Sequence, residues 1–228
     1  MNNKLVGETA SLIRNLNRQG IDKMSLMLRH SKRDYHKDVH MEPFMCLTDD
    51  GRDMAFQLGT ALPENLSLKF FSSHIGRCIE TAYLIDKGFV NKTGGVTENN
   101  RVSKTVAPFY VRDIRQVVEI VKTTDVSAFI RNWIDGAISE DILMNAKEAA
   151  NRMFRFLAGG LLESDRNTLH VSVTHDWNVY LLKEFGLGLP HEKYGKIAYL
   201  EGIVLFEKDE NVYIVNHQKE PILLSYLS

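Results

Sequence analysis

The chain has 228 residues, of which 44% are apolar and 25% charged, and its formal net charge at pH 7 is −1. A near-zero charge excludes any broad electrostatic attraction for nucleic acid or for an anionic membrane, and no apolar run approaches the roughly 20 residues of a membrane-spanning helix. The length and composition suit one soluble α/β domain with a substantial core. We therefore expect a single domain over 1–228 that binds neither nucleic acid nor membrane.

The N-terminal segment, residues 1–20, mixes polar and apolar side chains without the apolar core of a secretory signal, and it predicts a short helix. Cys46 and Cys78 are too few for a disulfide framework. Reduced thiols are typical of an intracellular protein, so the sequence predicts a cytoplasmic location.

Two apolar runs of strand length are each followed directly by a polar segment that contains a histidine. Together these segments supply Arg29, His30, Arg33, His175 and Asp176. Because the carboxyl ends of parallel strands meet in one crevice, we expect these side chains to lie close together. Such a set forms an anion-binding site that can also transfer protons.

The segment between the two histidines predicts a helix, a strand and a second helix. Thr48 is suited to cap the first helix, which runs to about Ala61. An apolar strand over 68–71 follows, and the next helix contains Arg77 and Ile85. This order is typical of an α/β sheet.

The middle of the chain, residues 87–145, is interpreted as a cap inserted over the carboxyl edge of the sheet. Residues 87–105 are rich in Gly, Asn, Thr and Lys and predict an exposed loop, whereas 108–145 has mainly helical periodicity. Arg112 and Arg115 in this region are interpreted as solvated surface residues. The cap contains no dense basic cluster that would favour a polyanionic substrate.

The C-terminal part predicts an amphipathic helix over 146–162, the second histidine strand with its helix, and a hairpin of strands at 202–206 and 212–215. Strands that alternate with helices indicate a mainly parallel sheet, here with an antiparallel edge. The predicted fold is a three-layer α/β/α sandwich with a small helical cap insertion.

The clustered residue types suit phosphoryl transfer. Arginine makes paired hydrogen bonds to phosphate and stays charged, neutral histidine is a nucleophile, and a carboxylic acid can protonate a leaving alkoxide. These three components require neither a metal nor a cofactor. A metal site at His36 and His40, four residues apart, is disfavoured because no third ligand is evident.

Four segments resemble the signature motifs of the histidine phosphatase superfamily, which has the phosphoglycerate mutase-like fold. Residues 29–33 resemble Arg-His-Gly-x-Arg, 47–51 resemble Leu-Thr-x-x-Gly, and 72–82 resemble Ser-Ser-x-x-x-Arg-x-x-x-Thr-Ala. Residues 174–178 are similar to the His-Asp-x-Asn motif of the superfamily's acid phosphatase branch. The motifs occur in the family's order, and the region over 87–145 is left unmatched.

The resemblance implies a metal-independent phosphomonoester hydrolase that acts through a phosphohistidine at His30. It implies that His175 completes the phosphate pocket and that Asp176 protonates the leaving group. The phosphate-binding residues that it implies are Arg29, Arg33 and Arg77. The expected substrate is a small organic phosphate.

Several alternatives stay open at this stage. Asp176 could act only as a helix cap, in which case Asp113 is the second candidate for the acid and Glu98 the third. A phosphoglycerate mutase-type phosphotransferase, a phosphatase acting on phosphorylated proteins and a non-catalytic sensor of phosphorylated ligands would all suit the same motifs. The oligomeric state is not predicted.

Two departures from the family pattern bear on the site. Ser31 stands where the family has glycine, which would be costly if that position needs a positive φ or a close backbone approach, although its hydroxyl could add a donor. His74 and Gly76 stand where the family often has Ser-Pro, which bears on the placement of Arg77.

Overall fold

A computed structural model describes residues 3–224, with the side chains of 7–38 and 40–224, and contains a mixed sheet flanked by helices. The strands are β1 Lys23–Arg29, β2 Ser67–Ser72, β3 Arg101–Val102, β4 Thr168–Thr174, β5 Gly202–Lys208, β6 Asn211–Asn216 and β7 Lys219–Leu223. The helices are α1 Asn3–Arg18, α2 Asp49–Ala61, α3 Gly76–Thr93, α4 Ile114–Thr123, α5 Val126–Ile134, α6 Ala146–Leu162, α7 Asp176–Leu182 and α8 His191–Tyr194. A π-helical turn over Lys183–Leu187 extends α7, and 3₁₀ turns occur at Val39–Phe44 and Lys104–Val106.

The strand order is β3-β2-β4-β1-β5-β6-β7. β1, β2, β3 and β4 are mutually parallel, whereas β5, β6 and β7 are joined by antiparallel pairings. The predicted α/β architecture is confirmed: four parallel strands are continued by an antiparallel edge. The sequence did not predict β7, which adds a third strand to the predicted hairpin.

The sheet separates two apolar cores, as a three-layer sandwich requires. Alternate side chains of β1 enter opposite cores: Leu26 and Leu28 pack with α1, α2 and α3, whereas Met27 belongs to the core formed with α5, α6 and α7. All three side chains are buried, since strand side chains point alternately to the two faces. An apolar run, rather than an alternating one, is therefore the correct signal for this central strand.

The register of the parallel strands brings three strand ends level. Arg29 at the end of β1 is opposite Thr174 of β4, and Ser72 at the end of β2 is opposite Val173. The residues that follow β1, β4 and β2 therefore meet at one edge of the sheet.

Helices α2 and α3 approach closely through two glycines. A Cβ atom on Gly59 would lie 1.9 Å from the Ile85 carbonyl oxygen, and one on Gly88 would lie 2.1 Å from the Phe56 carbonyl oxygen. Any larger residue would push the two backbones apart. This contact fixes the position of α3, whose first turn carries Arg77.

Several predicted elements are found with the expected bounds, including α2 with its cap at Thr48 and α6 over 146–162. The predicted loop over 87–105 is wrong at both ends, because α3 continues to Thr93 and β3 occupies 101–102. The single domain over 1–228 stays a prediction, and residues 1, 2 and 225–228 lie outside the described residues. Within the described part of the chain, no helix is long and apolar enough to cross a membrane.

Candidate active site

The level strand ends bring both motif histidines into one buried cluster. His30 follows β1 and His175 follows β4, and their ring centroids are 5.6 Å apart. Arg77 reaches both rings from the first turn of α3, with Nε 3.0 Å from His30 Nε2 and Nη2 3.5 Å from His175 Nδ1. The structure thus joins side chains that are far apart in sequence.

The hydrogen bonds of His30 define its tautomer. Nδ1 lies 2.8 Å from the carbonyl oxygen of Ser31, which can only accept, so Nδ1 carries the proton. Nε2 is therefore the nitrogen with the free lone pair, and it accepts from Arg77. An imidazole held in this way presents a nucleophilic nitrogen to the pocket.

The pocket keeps the His30 ring uncharged. Burial lowers the pKa of His30 well below its usual 6.5, and the charges of Arg77, His175 and Arg29 lower it further. The hydrogen bond to Ser31 opposes these effects but does not reverse them. His30 is only 2% exposed, so a neutral ring is also the form that is cheaper to bury.

His175 is also neutral, because burial, followed by the charge of Arg77, lowers its pKa to about 3. Its Nε2 lies 3.0 Å from Ser73 Oγ, while Nδ1 faces a guanidinium that can only donate. The proton is therefore on Nε2 in the free protein. Since the Ser73 hydroxyl can donate as well as accept, a bound anion can draw the proton to Nδ1.

Arg29, Arg33 and Arg77 are the arginines that surround this pair of rings. The Nε atoms of Arg29 and Arg33 are buried and have no hydrogen-bond partner among the described residues. Buried donors are nearly always paired in folded proteins, so two guanidinium donors without a partner among the described residues are suited to bind an anion. A phosphate group has enough acceptor oxygens to engage them.

A carboxylate that sequence reasoning missed lies between two of these arginines. Glu42 Oε1 accepts from Arg33 Nη2 and lies 3.5 Å from Arg77 Nη2, and the Glu42 carbonyl accepts from Arg77 Nη1 at 2.8 Å. Glu42 belongs to the 3₁₀ turn that follows the first histidine loop. No motif marks it in the sequence, since its importance comes only from the path of this turn.

Because Glu42 pairs with two arginines that could otherwise hold an anion, Glu42→Gln is expected to tighten the binding of inorganic phosphate about tenfold. Isothermal titration calorimetry of the variant and the wild type measures this change. Glu119→Gln, an exposed exchange of the same type on α4, is the matched control and should bind as wild type. Weaker binding by Glu42→Gln would instead mean that Glu42 holds the arginines in place.

Asp176 begins α7 beside the rings and contacts the site directly. Its Oδ2 lies 3.0 Å from Arg29 Nη2 and its Oδ1 accepts from the Trp177 N–H at 3.0 Å. About a third of the side chain is exposed, which leaves a route for a leaving group and for water.

The other two candidate acids are engaged elsewhere. Asp113 caps α4, where the hydrogen bond from the Gln116 side chain lowers its pKa, and its Oδ1 accepts from the Arg115 and Gln116 N–H groups. Glu98 pairs with Arg101 at 2.8 Å. Of these carboxyls, only Asp176 touches one of the three arginines.

Ser31 is accommodated without strain. Its φ is not positive, its N–H donates to Thr81 Oγ1 at 3.1 Å, and its hydroxyl donates to the Gly51 carbonyl at 2.6 Å. The hydroxyl thus faces α2 rather than supplying a free donor. The tight position is Gly51, where a Cβ would lie 2.0 Å from the Lys32 carbonyl oxygen.

His74 and Gly76, which stand in place of the family's Ser-Pro, do not displace Arg77 from the site, where it is 7% exposed.

Neighbouring Cys78 is no competing nucleophile, since burial raises the pKa of its thiol to about 12. Arg112 is directed away, donating to the Glu140 carbonyl at 2.6 Å. Among residues 3–224, no three His, Cys, Asp or Glu side chains cluster as metal ligands.

The turn after α8 completes the site, and sequence reasoning missed it. The Tyr199 ring lies 4.4 Å from the guanidinium carbon of Arg29, and the Ile197 carbonyl accepts from Arg29 Nη1 at 2.6 Å. Tyr199 also shares a hydrogen bond with the exposed Tyr35, whose ring lies 4.3 Å from the guanidinium carbon of Arg33. Two tyrosine rings therefore lie against two arginines of the site.

No protein-family model matches this sequence, and no curated protein does so either. Solved structures with a similar fold were found. YhfR of Bacillus stearothermophilus is 16% identical with a TM-score of 0.59, covering 86% of this chain and 99% of its own. A mycobacterial glucosyl-3-phosphoglycerate phosphatase is 17% identical with a TM-score of 0.56, covering 88% and 96%. The phosphoglycerate mutase of Bacillus anthracis is 14% identical with a TM-score of 0.54, covering 87% and 95%.

These similarities extend over nearly the full length of each chain. At such low identity they establish the fold, and the predicted phosphoglycerate mutase-like fold is confirmed. The neighbours include both phosphatases and a mutase, so the fold alone does not choose between hydrolysis and phosphoryl transfer to a second alcohol.

Proposed function

We propose that this chain is a histidine phosphatase: a metal-independent phosphomonoester hydrolase that acts through a phosphohistidine on His30. The observation that carries the proposal is the state of His30. Its Nδ1 is tied to the Ser31 carbonyl, which leaves an unprotonated Nε2 facing Arg77. A buried, neutral histidine aimed into a pocket of arginines is suited to attack an anionic phosphoryl group.

In the first step, the substrate phosphate displaces Glu42 and engages Arg29, Arg33 and Arg77. The lone pair of His30 Nε2 forms a bond to phosphorus while the bond from phosphorus to the alcohol oxygen breaks. The departing oxygen takes a proton from Asp176, which enters the cycle as the carboxylic acid once the substrate phosphate has taken Arg29 from it. The arginines and His175 hold the charge on the phosphoryl oxygens throughout, which is the main demand of phosphoryl transfer.

In the second step, the Asp176 carboxylate takes a proton from water as the water oxygen bonds to phosphorus. The bond between phosphorus and His30 Nε2 breaks, and its electron pair returns to the ring. Inorganic phosphate leaves, Asp176 is again protonated, and Arg77 can return to His30. The cycle consumes one water and needs no metal or cofactor.

The experiment that tests the function is hydrolysis of an aryl phosphate in EDTA, with trapping of the labelled phosphoenzyme after a rapid quench. We expect turnover in EDTA and a label that is stable in alkali and released in acid, as a phosphorus–nitrogen bond is. Binding of phosphate without turnover on any phosphomonoester would favour a sensor. Phosphate transferred within 3-phosphoglycerate rather than released would favour a mutase.

We assign the substrate to the small organic phosphomonoesters, since the two histidines and Arg77 are buried and the hydrogen-bonded Tyr35 and Tyr199 lie against Arg33 and Arg29. Hydrolysis of phosphopeptides at a higher rate than of small esters would reverse that assignment. The proposed location is the cytoplasm, supported by two cysteines that form no disulfide.

The pH dependence follows from the protonation states that the first step requires. Attack needs neutral His30, so its lowered pKa keeps the nucleophile competent below pH 6.5, and activity falls only when the pH drops through that lowered value. Departure of the alcohol oxygen consumes a proton, so activity is expected to fall as the pH rises. We expect a bell-shaped profile of kcat/KM with an acidic optimum, measured between about pH 4 and pH 8. An acidic limb centred at the ordinary histidine pKa would contradict the environment assigned to His30.

A further inference from the structure

An ion pair lies buried behind Arg29. Lys183 Nζ donates to Glu201 Oε1 at 2.7 Å and to Gln218 Oε1 at 2.6 Å. The Lys183 and Glu201 side chains are only 2% and 4% exposed. Burying two opposite charges is costly, and apolar replacements of such pairs are often as stable or more stable, so stability alone does not account for this one.

The second oxygen of Glu201 folds the chain before it into a turn. Glu201 Oε2 accepts from the Ala198 N–H at 2.9 Å, and the Ala198 carbonyl accepts from the Glu201 N–H at 3.2 Å. Leu200 within the turn has a φ of 60°, in the left-handed region that a leucine rarely adopts. A conformation of this kind persists only where its surroundings enforce it, and the Lys183–Glu201 pair lies against it.

This turn provides most of the contacts that orient Arg29. The Ile197 carbonyl accepts from Arg29 Nη1, and the Tyr199 ring covers the guanidinium. The backbone on both sides of Arg29 is bound as well, since its N–H donates to the Glu201 carbonyl at 2.9 Å and its carbonyl accepts from the Leu200 N–H at 3.2 Å. The remaining contact of the guanidinium is with Asp176.

We propose that Lys183 and Glu201 are positioning residues, whose buried ion pair locks the turn over 197–201 so that the turn aims the Arg29 guanidinium at the phosphate and at Asp176. Neither residue contacts substrate. The inference rests on the proposed function in one respect, namely that Arg29 binds the phosphate group.

The test is a double-mutant cycle on the affinity for inorganic phosphate, a readout that does not depend on turnover. Glu201→Gln keeps the shape and an acceptor for Ala198 but removes the charge that Lys183 fixes. We expect it to weaken phosphate binding about tenfold, since small errors in the position of a binding group have large effects. In an Arg29→Ala background the same change should have no further effect, because the residue that it acts through is absent.

Two further variants separate positioning from lost stability. Ile13→Val removes a methylene group from the core under α1, lowers the melting temperature, and should leave phosphate affinity unchanged. If Glu201→Gln alone does not fold, the double variant Lys183→Met with Glu201→Gln replaces the charged pair by a neutral one. The double variant should fold and bind phosphate as weakly as is expected for Glu201→Gln.

The outcomes are distinct. Wild-type affinity in folded Glu201→Gln, or a loss that multiplies with that of Arg29→Ala, would overturn the positioning role. A wild-type protein that binds phosphate but hydrolyses no ester would overturn the proposed function, and the cycle would still decide the role of Lys183 and Glu201.

Discussion

His30→Ala is expected to reduce kcat for an aryl phosphate by about 10⁴-fold or more, the scale on which removal of a covalent nucleophile acts. The reason is that the variant has no nitrogen to accept the phosphoryl group, and neighbouring Cys78 cannot replace it while burial holds its thiol pKa near about 12. Steady-state kinetics and phosphoenzyme trapping measure the loss. No label should be retained by the variant.

The pocket that remains after this change should still bind phosphate. Arg29 and Arg33 keep their buried Nε donors, which have no partner in the described part of the chain, and Arg77 loses its hydrogen bond to the ring. Stabilisation by inorganic phosphate or vanadate in a thermal melt should therefore persist. His217→Ala, at the turn between β6 and β7, is the matched control and should keep wild-type activity. Retained turnover in His30→Ala would require a different nucleophile.

The sequence predicted that His30, His175 and Arg77 lie together, because their placement follows simple local rules. Each histidine directly follows a buried parallel strand, so the register of β1 and β4 alone is enough to bring His30 and His175 together. Arg77 was found from its motif, and α3 is held against α2 by glycines that permit close contact. Each of the motifs that carry His30, Arg77 and His175 lies within a few consecutive residues of the chain.

The contacts of Glu42 and Glu201 with the arginines and their surroundings could not be predicted in the same way. Glu42 reaches the arginines from a 3₁₀ turn, and Glu201 acts from a turn far along the chain whose shape depends on a buried partner, Lys183. These contacts are set by tertiary packing, which leaves no periodicity or spacing in the sequence. The same cause explains β3 and β7, short edge strands whose pairing depends on neighbours that are already in place.

Asp176→Asn is expected to lower kcat for alkyl phosphates by about 10²- to 10⁴-fold, the usual contribution of a general acid. Aryl phosphates should lose much less, because a phenolate leaves readily without a proton. Asparagine keeps the shape and a carbonyl oxygen that can accept from the Trp177 N–H, so α7 should begin as before. The ratio of the alkyl to the aryl rate is therefore the measurement that isolates proton donation.

The contact between Asp176 and Arg29 gives the substitution a second effect that can be separated from the first. Loss of the carboxylate frees Arg29 Nη2, which changes phosphate binding and KM equally for both substrate classes, whereas loss of the acid changes only kcat and only for poor leaving groups. Asp113→Asn, the same exchange at the N-cap residue of α4, should leave both rates unchanged. A change in the ratio of the alkyl to the aryl rate in Asp113→Asn would assign the acid to Asp113. An equal loss of kcat on both substrates in Asp176→Asn would assign proton donation to another group or to water. The structure favours α7, because an acid must reach the leaving oxygen, and Asp176 is already bound to an arginine that we assign to the phosphate.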